Sequence, residues 1–354
     1  MNKIALAIHG GAGTILKSAM TPGLELEYRR GLENALKAGW AILNNGGSSL
    51  DAVEASVVSM EDHPLFNAGR GSVFTHEGKN EMDAAIMDGK RLRAGAAAFV
   101  KNIKNPIKLA RLVMERTKHV LLAGEGANQF ATEMKVPLEP DEYFFTEHRW
   151  RQMQDAIASG RIQLDHSNPS TAETQRRRDI SSSVLSVSSV VKSSSKVLTT
   201  ENTENTDKST NPRSAIPDPK SKGTVGAVAC DINGNLAAAT STGGMTNKKF
   251  GRVGDTALIG SGTYADDVCA VSCTGHGEFF MLGVTAYDVA ARMKYKGLSL
   301  EQAASETIEH LTNIGGEGGL IAVDALGNVV LPFNSEGMYR GLVSADGRMT
   351  VEIY

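Results

Sequence analysis

The sequence predicts an α+β fold in which antiparallel sheets and helices are layered into a sandwich. Two segments each carry an apolar run, a glycine-containing turn and a second apolar run, which is the pattern of a hairpin. The four strands predicted in this way are 224–230, 236–240, 320–323 and 329–331. Between the hairpins, 279–294 and 301–311 have the apolar spacing of helices. Strands that are apolar on both faces need helices outside and another sheet inside, so we expect a sandwich and not a Rossmann unit.

The segment before residue 160 alternates short strands with helices. Its predicted elements are a buried strand at 3–9, a glycine turn at 10–13, a helix that ends at 44–47, a helix from 48, a helix from 105 and a strand at 119–122. Ser48 with Asp51 resembles a capping box, and so does Ser299 with Gln302 before the last helix. Hydrophobic periodicity therefore predicts α and β elements along both halves of the chain.

Composition excludes several classes of partner. The 354 residues are 41% apolar, which is enough for a sizeable core in one large domain or two ordinary ones. A net charge of −3 gives no electrostatic footprint for nucleic acid. No apolar run approaches the ~18 residues of a membrane span, and the apolar run at the N-terminus is too short for a signal peptide. We therefore expect a cytoplasmic protein without a membrane partner, in which Cys230, Cys269 and Cys273 are reduced and buried.

A serine-rich linker separates the two halves. From residue 181 to 223 the chain is dominated by Ser, Thr, Asn, Lys and Pro, and no Phe, Tyr or Trp occurs from 151 to 249. Such a segment cannot bury enough apolar surface to offset the entropy of ordering, so disorder is predicted. The predicted organisation is an N-terminal core at 1–159, a linker at 160–223 and a C-terminal part at 224–354.

The linker ends at Gly223-Thr224, where an apolar strand begins. If the chain is cut there, Thr224 becomes an N-terminus. A terminal threonine carries a hydroxyl nucleophile and an α-amine whose pKa of about 7.7 to 8.0 lets it act as its own general base. The alternative is a flexible loop between two domains, with Thr224 as an ordinary first residue of a strand.

Three polar clusters could carry chemistry. Arg252 and Asp255 lie in a glycine-rich loop and could grip the carboxylate and ammonium of an amino acid, or form an ordinary surface ion pair. Ser241-Thr242-Gly243-Gly244 and Thr274-Gly275-His276-Gly277 could build an oxyanion hole, or simply tight turns. Asn67, between apolar residues, could donate to an oxyanion or close an Asx-turn. His276 is the weaker candidate for a base, because the threonine amine already supplies one.

In their order along the chain, these segments resemble the plant-type L-asparaginases, also isoaspartyl aminopeptidases, of the N-terminal-nucleophile hydrolases. The resemblance covers nearly all of 1–159 and 224–354. The matching stretches are IHGGAG, PLFNAG, MDAAIMDG, NPIKLARLVME, GEGA, GTVGAVA, ATSTGGMTNK, GRVGD, SCTGHGE and PFNSEGMYR.

The resemblance implies a four-layer αββα sandwich, made as a precursor that cuts itself between Gly223 and Thr224. The two resulting subunits would stay together as a dimer of αβ pairs. Thr224 would be the nucleophile, and Thr242 would lie beside it and assist the reaction. The other implied roles are substrate clamp for Arg252 and Asp255, oxyanion hole for Thr274 and Gly275, substrate contact for Gly277 and positioning for Asn67.

The resemblance also implies a structural sodium ion and no organic cofactor. The loop from 60 to 70 is similar to the sodium loop of the family, in which main-chain carbonyls coordinate the ion. The implied contributors are Met60, Glu61, His63, Phe66, Ala68 and Arg70. Lys118 and Val120 depart from the pattern of potassium-responsive members, so potassium activation is not predicted.

The predicted function is that of an isoaspartyl peptidase with L-asparaginase activity, acting on β-aspartyl dipeptides and L-asparagine. Two alternatives remain open at this point. The first is a glycosylasparaginase on the same fold, which usually enters a secretory route. The second is a non-enzymatic binding module in which the tether stays uncut and Thr224 stays internal.

Overall fold

The computed structural model describes residues 4–160 and 223–354, which contain twelve strands and nine α-helices. Linker residues 161–222, for which disorder is predicted, lie outside the described residues. The strands are β1 (Ala5–Gly13), β2 (Met82–Asp88), β3 (Arg93–Val100), β4 (Leu121–Ala123), β5 (Val225–Cys230), β6 (Leu236–Thr242), β7 (Thr263–Ala265), β8 (Cys269–Gly275), β9 (Gly318–Asp324), β10 (Val329–Val330), β11 (Gly337–Val343) and β12 (Met349–Glu352). The helices are α1 (Pro22–Asn44), α2 (Ser49–Glu61), α3 (Pro106–Arg116), α4 (Gly124–Glu133), α5 (Asp141–Phe144), α6 (Glu147–Ala158), α7 (Gly277–Gly283), α8 (Thr285–Lys296) and α9 (Leu300–Asn313).

The strands form two sheets. The larger has eight strands in the order β12-β11-β1-β5-β6-β2-β3-β4, and the smaller has four in the order β10-β9-β8-β7. All neighbours are antiparallel except β3 and β4. Because β1 lies between β5 and β11, strands from both sides of the linker share one sheet. Residues on either side of the Gly223–Thr224 step thus belong to one compact unit, and the mixed α/β class is confirmed.

Alternate residues along the strands enter different cores. In β1, Leu6 and Ile8 pack with α1 and α2, whereas Ala5 and Ala7 join a second cluster that contains residues of both sheets. This is the period of two that a strand imposes on its side chains. A third cluster joins the other face of β8 and β9 to α7, α8 and α9. Each sheet is therefore apolar on both faces, as expected from the sequence.

The two predicted hairpin turns and the capping residues of two helices are confirmed. Asp231 and Asp324 each accept two backbone N–H groups at the start of a hairpin turn through Oδ1. Ser48 accepts the N–H of Asp51 at the start of α2. The capping box before α9 is complete. All three cysteines are free thiols in buried positions.

The glycine run 10–13 is not a turn, which corrects the prediction. It continues β1, with a register shift between His9 and Gly11. A Cβ on Gly10 would come within 2.6 Å of the Phe66 ring. The lack of a side chain at Gly10 therefore makes room for the Phe66 ring, and the backbone continues in the same direction.

The single helix predicted at 279–294 is also wrong. The structure has two helices, α7 and α8, which meet at Val284 with a left-handed φ of +47°. Buried apolar residues continue on both sides of the break, so their spacing alone does not reveal it. The strand predicted at 119–122 is the edge strand β4, which begins two residues later.

Within the described part of the chain, no helix combines the length and apolarity that crossing a lipid bilayer would require.

Candidate active site

A pocket forms where the start of β5 lies beside the end of β6. Because these two strands are antiparallel, Thr224 before β5 comes close to Thr242 at the end of β6. The volume of this pocket is about 370 Å³, including open solvent at its mouth. The lining residues are Asn67, Gly223, Thr224, Thr242, Gly244, Met245, Arg252, Gly254, Asp255, Thr274, Gly275 and Gly277. All predicted catalytic and substrate-binding residues thus lie around one small cavity.

The two central hydroxyl groups are hydrogen-bonded to each other. Thr224 Oγ1 donates to Thr242 Oγ1 over 3.1 Å. Thr242 Oγ1 also accepts the N–H of Gly244 at 3.0 Å. Gly223, which precedes Thr224, has a left-handed φ of +52°, a conformation that favours glycine. The local backbone therefore presents the Thr224 hydroxyl to the pocket in a defined direction.

Thr274 and Gly275 supply a second polar edge at the end of β8. Thr274 Oγ1 accepts the N–H of Ala12 at 3.3 Å, which leaves its hydroxyl hydrogen for another acceptor. A Cβ on Gly275 would lie 2.4 Å from the Glu317 carbonyl oxygen. This position therefore requires glycine, and both residues face the same cavity as Thr224.

Arg252 and Asp255 both line the pocket. The carboxylate that Arg252 pairs with is that of Glu278. Arg252 Nε and Nη2 each donate to Glu278 over 2.9 Å. The pKa of Glu278, which partial burial tends to raise, is lowered overall by these bonds and by the charge of Arg252. Nη1 of Arg252 lies on the side of Gly244 and Gly254, which line the pocket.

Asp255 is a buried carboxylate beside this guanidinium. Burial raises its pKa to about 7, and the charge of Arg252 opposes the shift. Among the described residues, its Oδ2 has no hydrogen-bond partner. A Cβ on Gly277 would lie 2.7 Å from Asp255 Oδ1 and 2.9 Å from Arg252 Nη2. The missing side chain at Gly277 keeps both charged groups open to a bound molecule.

Asn67 joins two loops of the pocket wall. Its Nδ2 donates to the Gly244 carbonyl at 2.8 Å, and its Oδ1 accepts the N–H of Val73 at 2.9 Å. Its own carbonyl accepts the N–H of Gly243 at 3.0 Å. These bonds fix the turn that follows Thr242.

His276 lies next to the pocket wall rather than in it. Its ring packs edge-on against Phe279, and Nε2 is 3.4 Å from a carboxylate oxygen of Glu278. Burial lowers its pKa, with Glu278 opposing.

In and beside the loop at 60–70, two glycines pack closely against main-chain oxygens. A Cβ on Gly69 would lie 2.4 Å from the carbonyl oxygen of Glu61, and one on Gly71 would lie 2.1 Å from that of Phe66. Both positions therefore require glycine, and the oxygens beside them are main-chain carbonyls, the type of ligand that the resemblance implies for sodium. No group of three or more His, Cys, Asp or Glu side chains with metal-binding geometry occurs within 4–160 and 223–354.

The implied sodium contributors all belong to this loop, but they differ in burial. Met60, Glu61, Phe66 and Ala68 are buried, His63 is half-buried and Arg70 is exposed. The Glu61 side chain accepts from Ser241 Oγ at 2.7 Å and from the Ile107 N–H at 3.0 Å. Burial raises the pKa of Glu61 to about 8. Through Ser241, this loop is tied to the residue next to Thr242.

Comparison with known proteins assigns the chain to a family. The family model described as asparaginase matches residues 2–353. The chain belongs to the asparaginase family. It is 45% identical to the isoaspartyl peptidase of Salmonella typhimurium over 100% of this chain and 99% of that protein. It is 44% identical to the isoaspartyl peptidase of Escherichia coli, over 100% and 97%. It is 40% identical to the isoaspartyl peptidase/L-asparaginase of Xenopus laevis, over 99% and 96%.

Two charged residues of this asparaginase-family site were not predicted from the sequence. Glu278 lies in the quoted SCTGHGE stretch, but only the tertiary structure shows that it binds Arg252. Lys248 is fully buried, donates to the Glu81 carbonyl at 2.7 Å and would lie 3.0 Å from a Cβ on Gly244. Burial lowers its pKa. Hydrophobic periodicity carries no signal for a buried lysine in a loop.

Proposed function

We propose that this chain is an isoaspartyl peptidase with L-asparaginase activity, which matures by cutting itself between Gly223 and Thr224. The observation that carries the proposal is the placing of the Thr224 hydroxyl, 3.1 Å from Thr242, in a pocket that also exposes Arg252 and Asp255. A hydroxyl nucleophile and an amino-acid clamp in one small cavity suit hydrolysis of an amide on an amino-acid side chain. The names of the relatives support the same chemistry.

Maturation would begin with attack of Thr224 Oγ1 on the carbonyl carbon of Gly223. The peptide C–N bond breaks as the ester to Thr224 forms, and the proton from the hydroxyl ends on the freed α-amine. Water then hydrolyses the ester, which leaves a carboxylate on Gly223 and a free α-amine on Thr224. The bond from Thr224 to Thr242 would orient the attacking oxygen.

Turnover would use the same oxygen with the new amine as its base. The neutral amine takes the hydroxyl proton while Oγ1 attacks the side-chain carbonyl of the substrate. Thr274 and Gly275 would stabilise the oxyanion. The proton then passes to the leaving ammonia or peptide amine, and water hydrolyses the β-aspartyl ester. Aspartate leaves and the threonine hydroxyl is restored.

The clamp would hold the free amino-acid end that asparagine and β-aspartyl peptides share. The N–H groups on Nη1 of Arg252 would bind the α-carboxylate, because Nε and Nη2 are already bound to Glu278. Asp255 would accept the α-ammonium through Oδ1, the carboxylate oxygen that lies beside Gly277 in the pocket wall.

A sodium ion in the 60–70 loop is a further part of the proposal. Main-chain carbonyls of Met60, Glu61, His63, Phe66, Ala68 and Arg70 would hold it, and its role would be to order the loop that carries Asn67. Replacing NaCl by choline chloride at equal ionic strength should lower the unfolding temperature. An unfolding temperature that is the same in both salts would contradict the site, and potassium activation is not expected.

The proposed architecture is the four-layer αββα sandwich, assembled as a dimer of αβ pairs. The layers are supported by the three apolar clusters, one between the sheets and one under the helices on each outer side. The cytoplasm is the proposed compartment, supported by three buried free thiols.

The test of the proposed function is a matched pair of substitutions at Thr224. Thr224→Ala removes the attacking hydroxyl, so denaturing gels should show one band where the parent chain shows two, with no asparaginase activity. Thr224→Ser keeps a hydroxyl and should retain slower cleavage and turnover. Normal cleavage of Thr224→Ala would refute self-processing. A mature parent protein that hydrolyses glycan-linked asparagine but neither L-asparagine nor β-aspartyl dipeptides would refute the substrate assignment.

A further inference from the structure

A chain of buried polar side chains runs behind the nucleophile. His9 Nδ1 is 3.0 Å from the carbonyl oxygen of Thr224, and its Nε2 is 2.8 Å from Ser272 Oγ. Ser272 Oγ is 2.7 Å from Thr240 Oγ1, which in turn is 2.7 Å from Thr263 Oγ1. His9, Ser272, Thr240 and Thr263 are completely buried. They cross from the eight-stranded sheet to the four-stranded sheet through an otherwise apolar interior.

The directions of these hydrogen bonds follow from the group at the end of the row, the Thr224 carbonyl. A carbonyl oxygen can only accept, so His9 Nδ1 must carry a hydrogen. Complete burial lowers the pKa of His9 to about 3, so the ring is neutral and Nε2 is an acceptor. Ser272 therefore donates to His9 and Thr240 donates to Ser272, while the Thr263 hydroxyl has two acceptors, Thr240 Oγ1 at 2.7 Å and the Thr256 carbonyl at 3.1 Å. From Thr240 through Ser272 to His9, every donor points toward Thr224, an arrangement in which successive bonds strengthen one another.

Gly226 makes this chain possible. A Cβ at Gly226 would lie 2.0 Å from Ser272 Oγ and 2.3 Å from His9 Nε2, on top of the bond that joins them. The glycine two residues after Thr224 thus serves the polar chain and not a turn, since Gly226 lies inside β5.

These buried hydrogen bonds matter most for the position of Thr224 once it is an N-terminus, because terminal residues fray unless other contacts hold them. After cleavage Gly223 no longer restrains Thr224, so the bond from His9 to the Thr224 carbonyl and the pairing of β5 are what hold this residue. We propose that His9, oriented by Ser272 and Thr240, is a positioning residue that holds the Thr224 carbonyl and thereby aims its hydroxyl and amine. This role rests on the proposed function, since it concerns the geometry of the nucleophile.

Two substitutions of His9 separate its two bonds. In His9→Asn the amide nitrogen can replace Nδ1 and still donate to Thr224, whereas in His9→Gln it reaches toward Ser272 and the Thr224 carbonyl loses its donor. We expect kcat to fall about tenfold or more in His9→Gln and no more than about threefold in His9→Asn, with KM for asparagine unchanged in both. Equal losses of kcat, or a change in KM instead of kcat, would overturn the assignment.

A second pair of variants avoids changing His9. Thr240→Val removes one hydroxyl from the polar chain at nearly constant shape and should lower kcat about threefold. Thr307→Val is the matched control, because Thr307 is a buried threonine whose hydroxyl donates to Asp288 on a distant helix pair. Its kcat should match that of the parent. If both variants lose kcat in proportion to their unfolding temperature, the role of the chain is structural and the proposal fails.

Nitrogen-15 NMR of the imidazole tests the same inference without any substrate. The parent protein should show a neutral ring protonated on Nδ1 throughout pH 6 to 8, whether or not it hydrolyses asparagine. A hydrogen on Nε2 would overturn the positioning role. Absent hydrolysis together with an Nδ1 hydrogen would instead count against the proposed function alone.

Discussion

Asp255 is a buried residue, and one of its carboxylate oxygens has no hydrogen-bond partner in the described part of the chain. A buried charge without compensation costs folding free energy, because it loses its hydration. The cost is reflected in a pKa raised by burial to about 7. The charge of Arg252 opposes this shift without cancelling it, and two nitrogen atoms of Arg252 are bound to Glu278. A substrate ammonium in the pocket would bring a compensating charge to this carboxylate, so the residue is better suited to the bound state than to the empty one.

Replacing this carboxylate should stabilise the protein in a pH-dependent way. The folded-state pKa of about 7 lies above the usual 3.8, so the destabilisation is complete above pH 7 and disappears as pH falls toward 4. Asp255→Asn should therefore raise the free energy of unfolding at pH 8, by at most about 4 kcal/mol, and much less at pH 5. Denaturant titrations at the two pH values measure this. The exposed Asp346→Asn is the control, and equal stabilisation at both pH values would contradict the prediction.

The same ionisation should appear in catalysis. Protonated Asp255 cannot pair with an ammonium, so KM for asparagine in the parent protein should rise as pH falls through about 7, in addition to any effect of the Thr224 amine on kcat.

The residues around Thr224 illustrate what a sequence can predict at this scale. Thr224, Arg252 and Asp255 stand in recognisable stretches, and the structure brings them to one pocket. The bond from Arg252 to Glu278 was not predictable, because the side-chain geometry depends on where α7 begins. The hydrogen bond from Asn67 to Gly244 joins residues 177 positions apart, and the one from His9 to Thr224 joins residues 215 positions apart. The spacing of apolar residues cannot predict such pairs.

Among the elements, caps and hairpins were predictable and the break between α7 and α8 was not. Capping residues and turn glycines act on the neighbouring backbone, so their signal is local. The break lies at Val284, a β-branched residue in the left-handed region at φ +47°. That conformation is unfavourable for valine. It is enforced by the packing of two helices against one sheet and by bonds from the N–H groups at the start of α8 to carbonyls at 260–261.

Val284→Gly should stabilise the protein, because glycine adopts this conformation without strain. We expect the free energy of unfolding to rise by about 1 kcal/mol. This gain is the backbone strain that is relieved, minus the additional conformational entropy that glycine loses on folding. Val120→Gly is the matched control at another half-exposed valine that does not have positive φ, and it should destabilise. A loss of stability in Val284→Gly similar to that in Val120→Gly would show that the backbone there is not strained.

At the scale of the whole molecule, the linker is not a domain boundary. Strand order in the large sheet alternates between the two halves of the chain, since β11, β1, β5, β6 and β2 are neighbours in that order. Separate segments at 1–159 and 224–354 were predicted, but hydrophobic periodicity could not predict that they interleave. Pairing between strands hundreds of residues apart depends on the final packing, not on any local pattern.

The interleaving predicts how the two halves behave as separate chains. Expressed alone, residues 1–223 would leave β1 without either of its neighbours, and residues 224–354 would leave β5 and β11 separated by a gap of one strand. Unpaired strand edges and exposed apolar faces favour aggregation, so each half alone should be insoluble. Expressed together, the halves should form one particle that elutes as a single peak in size-exclusion chromatography and shows two bands on a denaturing gel. A soluble 224–354 fragment with cooperative unfolding of its own would instead mean that the second half folds without β1.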